Sequence, residues 1–159
     1  MSDRLEVSRD DGLTISDDPA SVDVDRVCAW LATSYWASER DRPTVERSIA
    51  HSQPYGVYTA GGTQVALARV TTDFASFAWI ADVIVDEAWR GKGIGTWLMQ
   101  VVVDHLTGLG VQRLVLTTRD AHEVYQRIGF EPLRVPATWM EIDRRRNRPN
   151  PGEVRGLAR

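Results

Sequence analysis

The sequence predicts a mixed α/β protein built around one long, buried central strand. Residues 77–85 are apolar except for Asp82, a pattern typical of a strand that is covered on both faces. In residues 94–109 the apolar side chains recur at spacings of three and four, which predicts an amphipathic helix. Because strand and helix patterns alternate along the remaining chain, we expect the helices to form a layer against the sheet.

The first half of the chain supplies a short strand, two helices and a β-hairpin. Alternating apolar and polar residues predict the strands, and apolar spacings of three and four predict the helices. Gly61 and Gly62 lie in the turn between the two hairpin strands. In chain order, these elements are expected over residues 13–16, 22–33, 44–52, 55–60 and 64–70.

After the long helix, the pattern predicts a strand, a helix and two final strands. Asp120 is placed to cap this helix, and Glu123 three positions later completes a capping-box pattern. Gly129 is expected to terminate the helix. In chain order, these elements are predicted over residues 113–117, 121–128, 130–135 and 138–142.

The length of 159 residues favours a single domain, since a chain of this size buries roughly two thirds of its unfolded surface. Residues 1–12 are polar and charged, so we expect them to form a flexible N-terminal extension. The single domain should span residues 13–143. Residues 144–159 should form a polar, basic C-terminal tail.

The composition excludes several classes of function. Nineteen basic and 22 acidic residues give a net charge of −3, which argues against a nucleic-acid partner bound by bulk charge. Cys28 is the only cysteine, so we expect neither an internal disulfide nor a thiol-ligated metal. No apolar run reaches the length of a signal peptide or a spanning helix. We therefore expect a cytoplasmic protein with no membrane partner and no metal.

The segment between the long strand and the long helix predicts an anion-binding loop. Arg90, Lys92 and three glycines precede or open the helix, whose N-terminus favours negative charge. A Rossmann loop requires G-x-G-x-x-G, whereas the spacing here is G-x-G-x-G. A P-loop requires Ser or Thr after the lysine, whereas Gly93 follows Lys92. A pyrophosphate held by successive backbone N–H groups fits the spacing, and a plain tight turn is the structural alternative.

Two motifs in this region resemble the GNAT-type N-acetyltransferase superfamily. Val85, three spacers and W-R-G-K-G-I-G resemble the acetyl-CoA-binding loop of that family. Downstream, T-R-D-A-H-E-V-Y-Q-R-I-G-F resembles a second family motif, with Ala121, Tyr125, Gly129 and Phe130 in register. The resemblance implies a mixed, mostly antiparallel central sheet flanked by helices, the acyl-CoA transferase fold of this family. It also implies an acetyl-CoA-dependent N-acetyltransferase with acetyl-CoA as acyl-donor co-substrate.

The resemblance also implies which residues bind acetyl-CoA. The main chain of Val83 and Val85 would align the pantetheine arm, and the glycine loop would hold the pyrophosphate. Thr118 stands where many members carry Asn, and its hydroxyl would bond the cofactor arm. The implied cofactor-binding residues are Val83, Val85, Arg90, Gly91, Lys92, Gly93, Ile94, Gly95, Thr96 and Thr118.

The implied chemistry is direct attack of a primary amine on the thioester, with Tyr125 and Asp82 as candidate catalytic residues. Tyr125 would protonate the departing thiolate. The alternative is that Tyr125 is a structural residue whose ring packs on the sheet. Asp82 is the only charged residue in an apolar strand, where burial would raise its pKa and make it a base. Its alternatives are structural hydrogen bonds or a counter-ion for the amine.

The acceptor is expected to be an amine of a small molecule or a peptide. In this family the first two helices and their connection shape the acceptor pocket, which implies substrate-binding roles for Tyr35, Trp36 and Arg40. Members commonly pair through their final strands, so the resemblance also predicts a homodimer. A non-catalytic acyl-CoA-binding regulatory or sensor protein is the alternative function.

Overall fold

The computed structural model describes residues 4–146, which contain a six-stranded sheet and four α-helices. The strands are β1 Glu6–Ser8, β2 Thr14–Ser16, β3 Gln53–Tyr58, β4 Gln64–Thr72, β5 Phe77–Val85 and β6 Arg113–Val115. The helices are α1 Val24–Ala32, α2 Arg42–Ala50, α3 Ile94–Gly108 and α4 His122–Ile128. The chain forms two compact units, one up to Leu116 and one from Thr117 onward. All six strands lie in the first unit.

The sheet has the strand order β1-β2-β3-β4-β5-β6. Neighbouring strands pair in antiparallel fashion up to β5, and only the last pair, β5 with β6, is parallel. The predicted mixed and mostly antiparallel sheet is therefore confirmed. A helix must connect a parallel pair because the chain has to return to the same end of the sheet, and α3 makes this connection.

Helices cover both faces of the sheet in the first unit. Side chains of α1, α2 and their connection pack on one face against Leu67 and Ile84. On the opposite face, the hydroxyl of Tyr55 lies 3.0 Å from Nδ1 of His105 in α3. The core cluster on the first face comprises Val27, Trp30, Leu31, Ala37, Val45, Ile49, Leu67 and Ile84. The alternation of buried and half-buried residues along β5 follows from this arrangement.

A β-bulge interrupts β5 at Asp82. Arg69 pairs with Ala81 and Leu67 pairs with Ile84, so two residues of β5 stand opposite the single residue between them on β4. Asp82 has a φ of 50°, a left-handed conformation that aspartate tolerates better than most residues. The bulge therefore re-aims the Asp82 side chain while both flanking pairs keep their faces.

In the second unit, α4 begins differently from the prediction. Ala121 is the N-cap residue, and no side chain from Asp120 or Glu123 completes a capping box. Instead, the hydroxyl oxygen of Thr118 accepts a hydrogen bond from the Ala121 N–H at 3.0 Å. Gly129 ends the helix with a φ of 111°, as predicted, because this left-handed conformation requires glycine.

Two further predictions are corrected by the structure. Residues 130–135 and 138–142 form no strands, and the only regular element there among the described residues is a 3₁₀ turn at Pro136–Thr138. Proline lacks an N–H for a strand ladder, and Met140 and Ile142 are almost fully exposed. Conversely, part of the expected flexible extension forms β1, because β2 offers an edge with which it pairs. The short sequence of β1 alone does not reveal this pairing.

None of the helices in the described part of the chain is long and apolar enough to cross a membrane. The expected single domain over residues 13–143 stays a prediction. Of the expected basic tail, the residues after Arg146 lie outside the described residues.

Candidate acetyl-transfer site

One half of β5 has a free edge. On the side of β6, pairing extends only over the first three residues of β5, and no described strand pairs with residues 80–85 there. The N–H of Asp86 donates to the carbonyl of Val65 on the β4 side, at 2.8 Å. Because peptide groups alternate in direction along a strand, the carbonyl of Val83 and the N–H of Val85 point toward the free edge. An extended ligand could therefore bond this edge like an added half-strand.

The free edge leads into the glycine loop at the start of α3. Gly91 and Gly93 adopt φ angles of 77° and 71°, which exclude most side chains. Apart from the chain neighbours, no heavy atom lies within 4 Å of a Cβ placed on either glycine, so the space beside them is open. The first hydrogen bond within α3 runs from the Trp97 N–H to the Gly93 carbonyl, which leaves the amides of the first turn without intrahelical acceptors.

The first amides of α3 are available to a negatively charged group. Gly93 is the N-cap residue and supplies no side-chain cap, so the N–H groups of Ile94, Gly95 and Thr96 can bind an external anion. A Cβ on Gly95 would lie 3.5 Å from Val85, in ordinary contact, so this glycine is the least constrained of the three.

The two basic side chains of the loop make local contacts. Arg90 donates from Nε to the Val85 carbonyl at 3.1 Å, which joins the loop to the end of β5. The ammonium of Lys92 lies 4.6 Å from the centre of the Trp89 ring, a cation–π contact. Both side chains therefore stay beside the loop, where their charge favours an anion on the helix N-terminus.

At the bulge, Asp82 joins three donors into what we call the Asp82 cluster: Asp82, Trp36, Arg40 and Arg69. Trp36 donates from Nε1 to Oδ1 of Asp82 at 3.0 Å. Arg40 Nη1 and Arg69 Nε both donate to Oδ2, each at 2.8 Å. The Asp82 side chain is only 2% exposed. The cluster thus holds a buried carboxylate between two guanidiniums.

This environment corrects the predicted pKa of Asp82. Burial by itself would raise the pKa, but the charges of Arg69 and Arg40 and their hydrogen bonds outweigh burial and leave the pKa below its ordinary value. The predicted upward shift is therefore wrong. A carboxylate held ionised in this way is a weak proton acceptor, so the reason for assigning Asp82 as a general base is lost.

The structure brings the predicted acceptor residues together around Asp82. Trp36 and Arg40 bond it directly, and the ring of Tyr35 contacts that of Trp36 edge-on at 5.0 Å between ring centres. Arg69 belongs to the same cluster but was not singled out from the sequence. It is the only charged residue in the otherwise largely apolar strand β4, which is the signal that could have identified it.

Thr118 and Tyr125 lie in the second unit. The Thr118 hydroxyl oxygen is used at the start of α4, where it accepts the Ala121 N–H. Tyr125 lies within α4, and its ring contacts that of Phe130 edge-on at 5.9 Å between ring centres. The ring of Tyr125 is thus held against the residue that follows the helix stop.

Two structures illustrate the solved proteins that this chain resembles. The first is a candidate acetyltransferase of the GNAT family from Xanthomonas campestris pv. campestris, with 36% identity and a TM-score of 0.78. The match covers 82% of this chain and 92% of that one. The second is N-acetylglutamate synthase from Neisseria gonorrhoeae, solved with coenzyme A and N-acetyl-glutamate, with 20% identity and a TM-score of 0.64. That match covers 78% of this chain and 29% of that one, and it shows a shared fold.

Sequence comparison leads to the same family. A candidate acetyltransferase of Gibberella zeae is 27% identical over 141 residues, which cover 76% of this chain and 80% of that protein. The profile of the Acetyltransferase (GNAT) family matches residues 24–130, a range that runs from the start of α1 to the residue after the α4 stop. It includes the free edge, the glycine loop and the Asp82 cluster. This chain therefore belongs to the acetyltransferase (GNAT) family.

Proposed function

We propose that this protein is an N-acetyltransferase that moves an acetyl group from acetyl-CoA to a primary amine of a small molecule or a peptide. The observation that carries the proposal is the continuity between the free edge of β5 and the glycine loop. Val83 and Val85 offer main-chain groups to an extended ligand, and the loop amides lie where that ligand's phosphates would follow. An extended chain that ends in a pyrophosphate is the chemistry of coenzyme A.

In this proposal the residues of the first unit bind and orient the acyl donor. The Val83 carbonyl and the Val85 N–H align the pantetheine arm, and the amides of Ile94, Gly95 and Thr96 hold the pyrophosphate with Arg90 and Lys92 nearby. Bound acetyl-CoA would supply the acetyl group as a thioester, and CoA would then leave as a thiol. A main-chain N–H at the free edge would polarise the thioester carbonyl.

The acceptor amine must lose a proton before it attacks. An amine with a pKa of about 10 is mostly protonated at neutral pH, so water or another group has to accept that proton. We assign Asp82 a positioning role instead, because it holds Arg40, Arg69 and Trp36 in fixed directions. The positive charges of Arg40 and Arg69 also disfavour the protonated form of a nearby acceptor amine, which would lower the pKa of that amine.

We further propose Tyr125 as the acid that protonates the departing thiolate, and Thr118 as a partner of the cofactor arm. Both roles rest on the family motif in which these residues stand. A phenol with a pKa of about 10 can donate to a thiolate, and Thr118 retains its O–H donor while its oxygen caps α4.

Two measurements test the function. Equilibrium dialysis or a thermal-shift titration should detect acetyl-CoA binding, and release of free CoA thiol should follow when a panel of primary amines is added. No binding at millimolar acetyl-CoA would contradict the proposal. Binding without thiol release from any amine would instead favour the acyl-CoA sensor.

The role of Tyr125 is tested by Tyr125→Phe. Loss of a general acid typically slows turnover roughly 10²-fold or more, so we expect a reduced kcat with little change in acetyl-CoA affinity. Tyr58→Phe is the matched control, because the Tyr58 hydroxyl is buried without a hydrogen-bond partner among the described residues. Its removal should leave turnover unchanged. Equal rates for Tyr125→Phe and the wild type across pH would remove Tyr125 from the mechanism.

A further inference from the structure

The Asp82 cluster carries more positive than negative charge. Its two guanidiniums contribute two positive charges, while Asp82 contributes one negative charge. The cluster therefore has a net charge of one positive unit. By contrast, Asp86 and Arg26 form a balanced pair on the same face of the sheet, with 3.1 Å between Oδ2 and Nη2.

The guanidiniums of the cluster also keep unused donors. A guanidinium has five N–H groups, yet Arg40 and Arg69 each donate through one nitrogen to the same carboxylate oxygen. The buried side-chain nitrogen and oxygen atoms without a partner in the described chain are Nε of Arg26 and the hydroxyl of Tyr58. The remaining nitrogens of Arg40 and Arg69 are therefore not sealed in the core, and they can bind a ligand that enters from solvent.

A pocket begins at Thr71, two residues beyond Arg69 on β4. Arg69 and Thr71 lie two residues apart on β4, so their side chains share one face, and Trp79 stands opposite Thr71 on β5. A cavity of about 220 Å³ is lined by Thr71, Thr72, Asp73, Phe77 and Trp79. The carboxylate of Asp73 accepts hydrogen bonds from loop amides of residues 75–77 and from the Ser76 hydroxyl, so it serves the loop. The pocket therefore has an aromatic wall of Phe77 and Trp79, and Arg69 lies two positions before its edge residue Thr71 on the same strand face.

We propose that this protein acetylates an amine that also carries a compact oxyanion, a carboxylate or a phosphate, and that Arg69 and Arg40 bind this oxyanion. Planar guanidiniums match the geometry of both groups, and a partly buried site strengthens the interaction. The Trp79 side of the pocket takes the organic part of the same molecule. A bare ammonium is repelled by the cluster, so the anionic end and not the amine lies on the arginines. The identity of this ligand as the acetyl acceptor rests on the proposed function, whereas anion binding does not.

Anion binding is tested first, without turnover. The protein is saturated with CoA, which occupies the glycine loop, and is then titrated with inorganic phosphate and separately with acetate by calorimetry. We expect at least one of the two anions to bind the wild type, and the preferred anion to distinguish phosphate from carboxylate. Arg69→Gln should weaken that binding about tenfold or more, since a hydrogen bond between charged groups is lost. Arg26→Gln, whose arginine sits in the balanced pair, should bind as the wild type does.

Turnover is tested with matched amines. Ethanolamine is compared with O-phosphoethanolamine, and tyramine with tyrosine, by thiol release. In at least one pair, we expect the compound that carries the phosphate or the carboxylate to have the higher kcat/KM. Arg69→Gln should remove that preference mainly through KM. Arg69→Lys, which keeps the charge, should restore part of it, and Arg40→Gln provides a second variant if Arg69→Gln does not fold.

The outcomes separate the two proposals. Equal anion binding by the wild type and Arg69→Gln, or no anion binding at all, overturns the oxyanion site. Thiol release in which ethanolamine and tyramine, which lack the oxyanion, are preferred in both pairs overturns the oxyanion site as well, while the acetyltransferase stands. Arg69-dependent anion binding together with no thiol release from any amine keeps the oxyanion site and overturns the proposed function.

Discussion

Asp82 lies within the free edge of β5 and Asp86 follows the strand four residues later, and the two carboxylates use the same types of partner in different ways. Each accepts a tryptophan indole N–H and an arginine N–H. Asp82 is 2% exposed and has a second arginine, whereas the Asp86 side chain is 22% exposed and has one. Asp86 also accepts the Ala88 N–H and so fixes the 3₁₀ turn that leads to the glycine loop.

The difference separates two roles along one strand. The Asp86 group is balanced in charge and positions the backbone of the 3₁₀ turn, so it shapes the segment that leads to the glycine loop. The Asp82 cluster has excess positive charge at a buried bulge, so it presents charge to a ligand. Both carboxylates have a tryptophan and an arginine as partners, but burial and the second guanidinium at Asp82 decide what each carboxylate does.

The largest difference is expected in stability. Asp82→Asn leaves two guanidiniums without their buried carboxylate and should lower the free energy of unfolding by about 3 kcal/mol. Asp86→Asn acts on a partly exposed pair and should cost about 1 kcal/mol. Urea denaturation at pH 7 measures both values. If the two variants lose equal stability, burial does not distinguish these acids.

The pH dependence of that loss tests the direction of the Asp82 pKa shift. The pKa in the folded protein lies below the unfolded value of about 3.9, so the stabilisation is fully present above about pH 4. It is lost as the pH falls through the folded-state pKa. The stability gap between wild type and Asp82→Asn should therefore be constant from pH 5 to pH 8 and should shrink in acid. A gap that changes between pH 6 and pH 8 would restore Asp82 as a candidate base.

In the glycine loop, which follows the turn fixed by Asp86, backbone conformation and not charge should determine the affinity for acetyl-CoA. Gly93→Ala forces a side chain into a left-handed conformation at a cost of about 1–2 kcal/mol, so acetyl-CoA affinity should fall roughly tenfold. Gly108→Ala is the control, because its φ is not positive and nothing lies within 4 Å of the added Cβ. Calorimetric titration should show unchanged affinity for this control. Unchanged affinity of Gly93→Ala would contradict the assignment of the loop.

The smallest expected effect concerns the two arginine pairs. Arg26→Gln removes a partly exposed ion pair and should cost less than about 1 kcal/mol at low salt, and less still in 1 M salt. Arg40→Gln removes one of the two arginine partners of a buried carboxylate, and the resulting loss of stability should persist in high salt. Denaturation at both ionic strengths measures the two losses. Equal screening of both would indicate that water reaches the Asp82 cluster.

Local pattern was sufficient for much of this protein. The bounds of β5 agree with the apolar run over residues 77–85, and α3 begins at the predicted residue, because burial on both faces and helical spacing are properties of consecutive residues. The glycine-rich turn before α3 was equally readable, since its conformation depends on the backbone of adjacent residues. The absence of the final strands was not readable, because a strand forms only with a pairing partner. Pro132 and Pro136 also reduce the tendency of that segment to form a strand.

The sequence by itself determined the order of the main elements, the glycine loop and the family resemblance. Only the tertiary structure decided the chemistry of Asp82, whose partners Trp36, Arg40 and Arg69 lie 46, 42 and 13 residues away in the chain. A charged residue in an apolar strand predicts burial but not which charges meet it. The pKa of Asp82 depends on the sum of burial and neighbouring charge. The position of Arg69 is fixed when β4 pairs with β5, and those of Trp36 and Arg40 when the connection between α1 and α2 packs on the sheet.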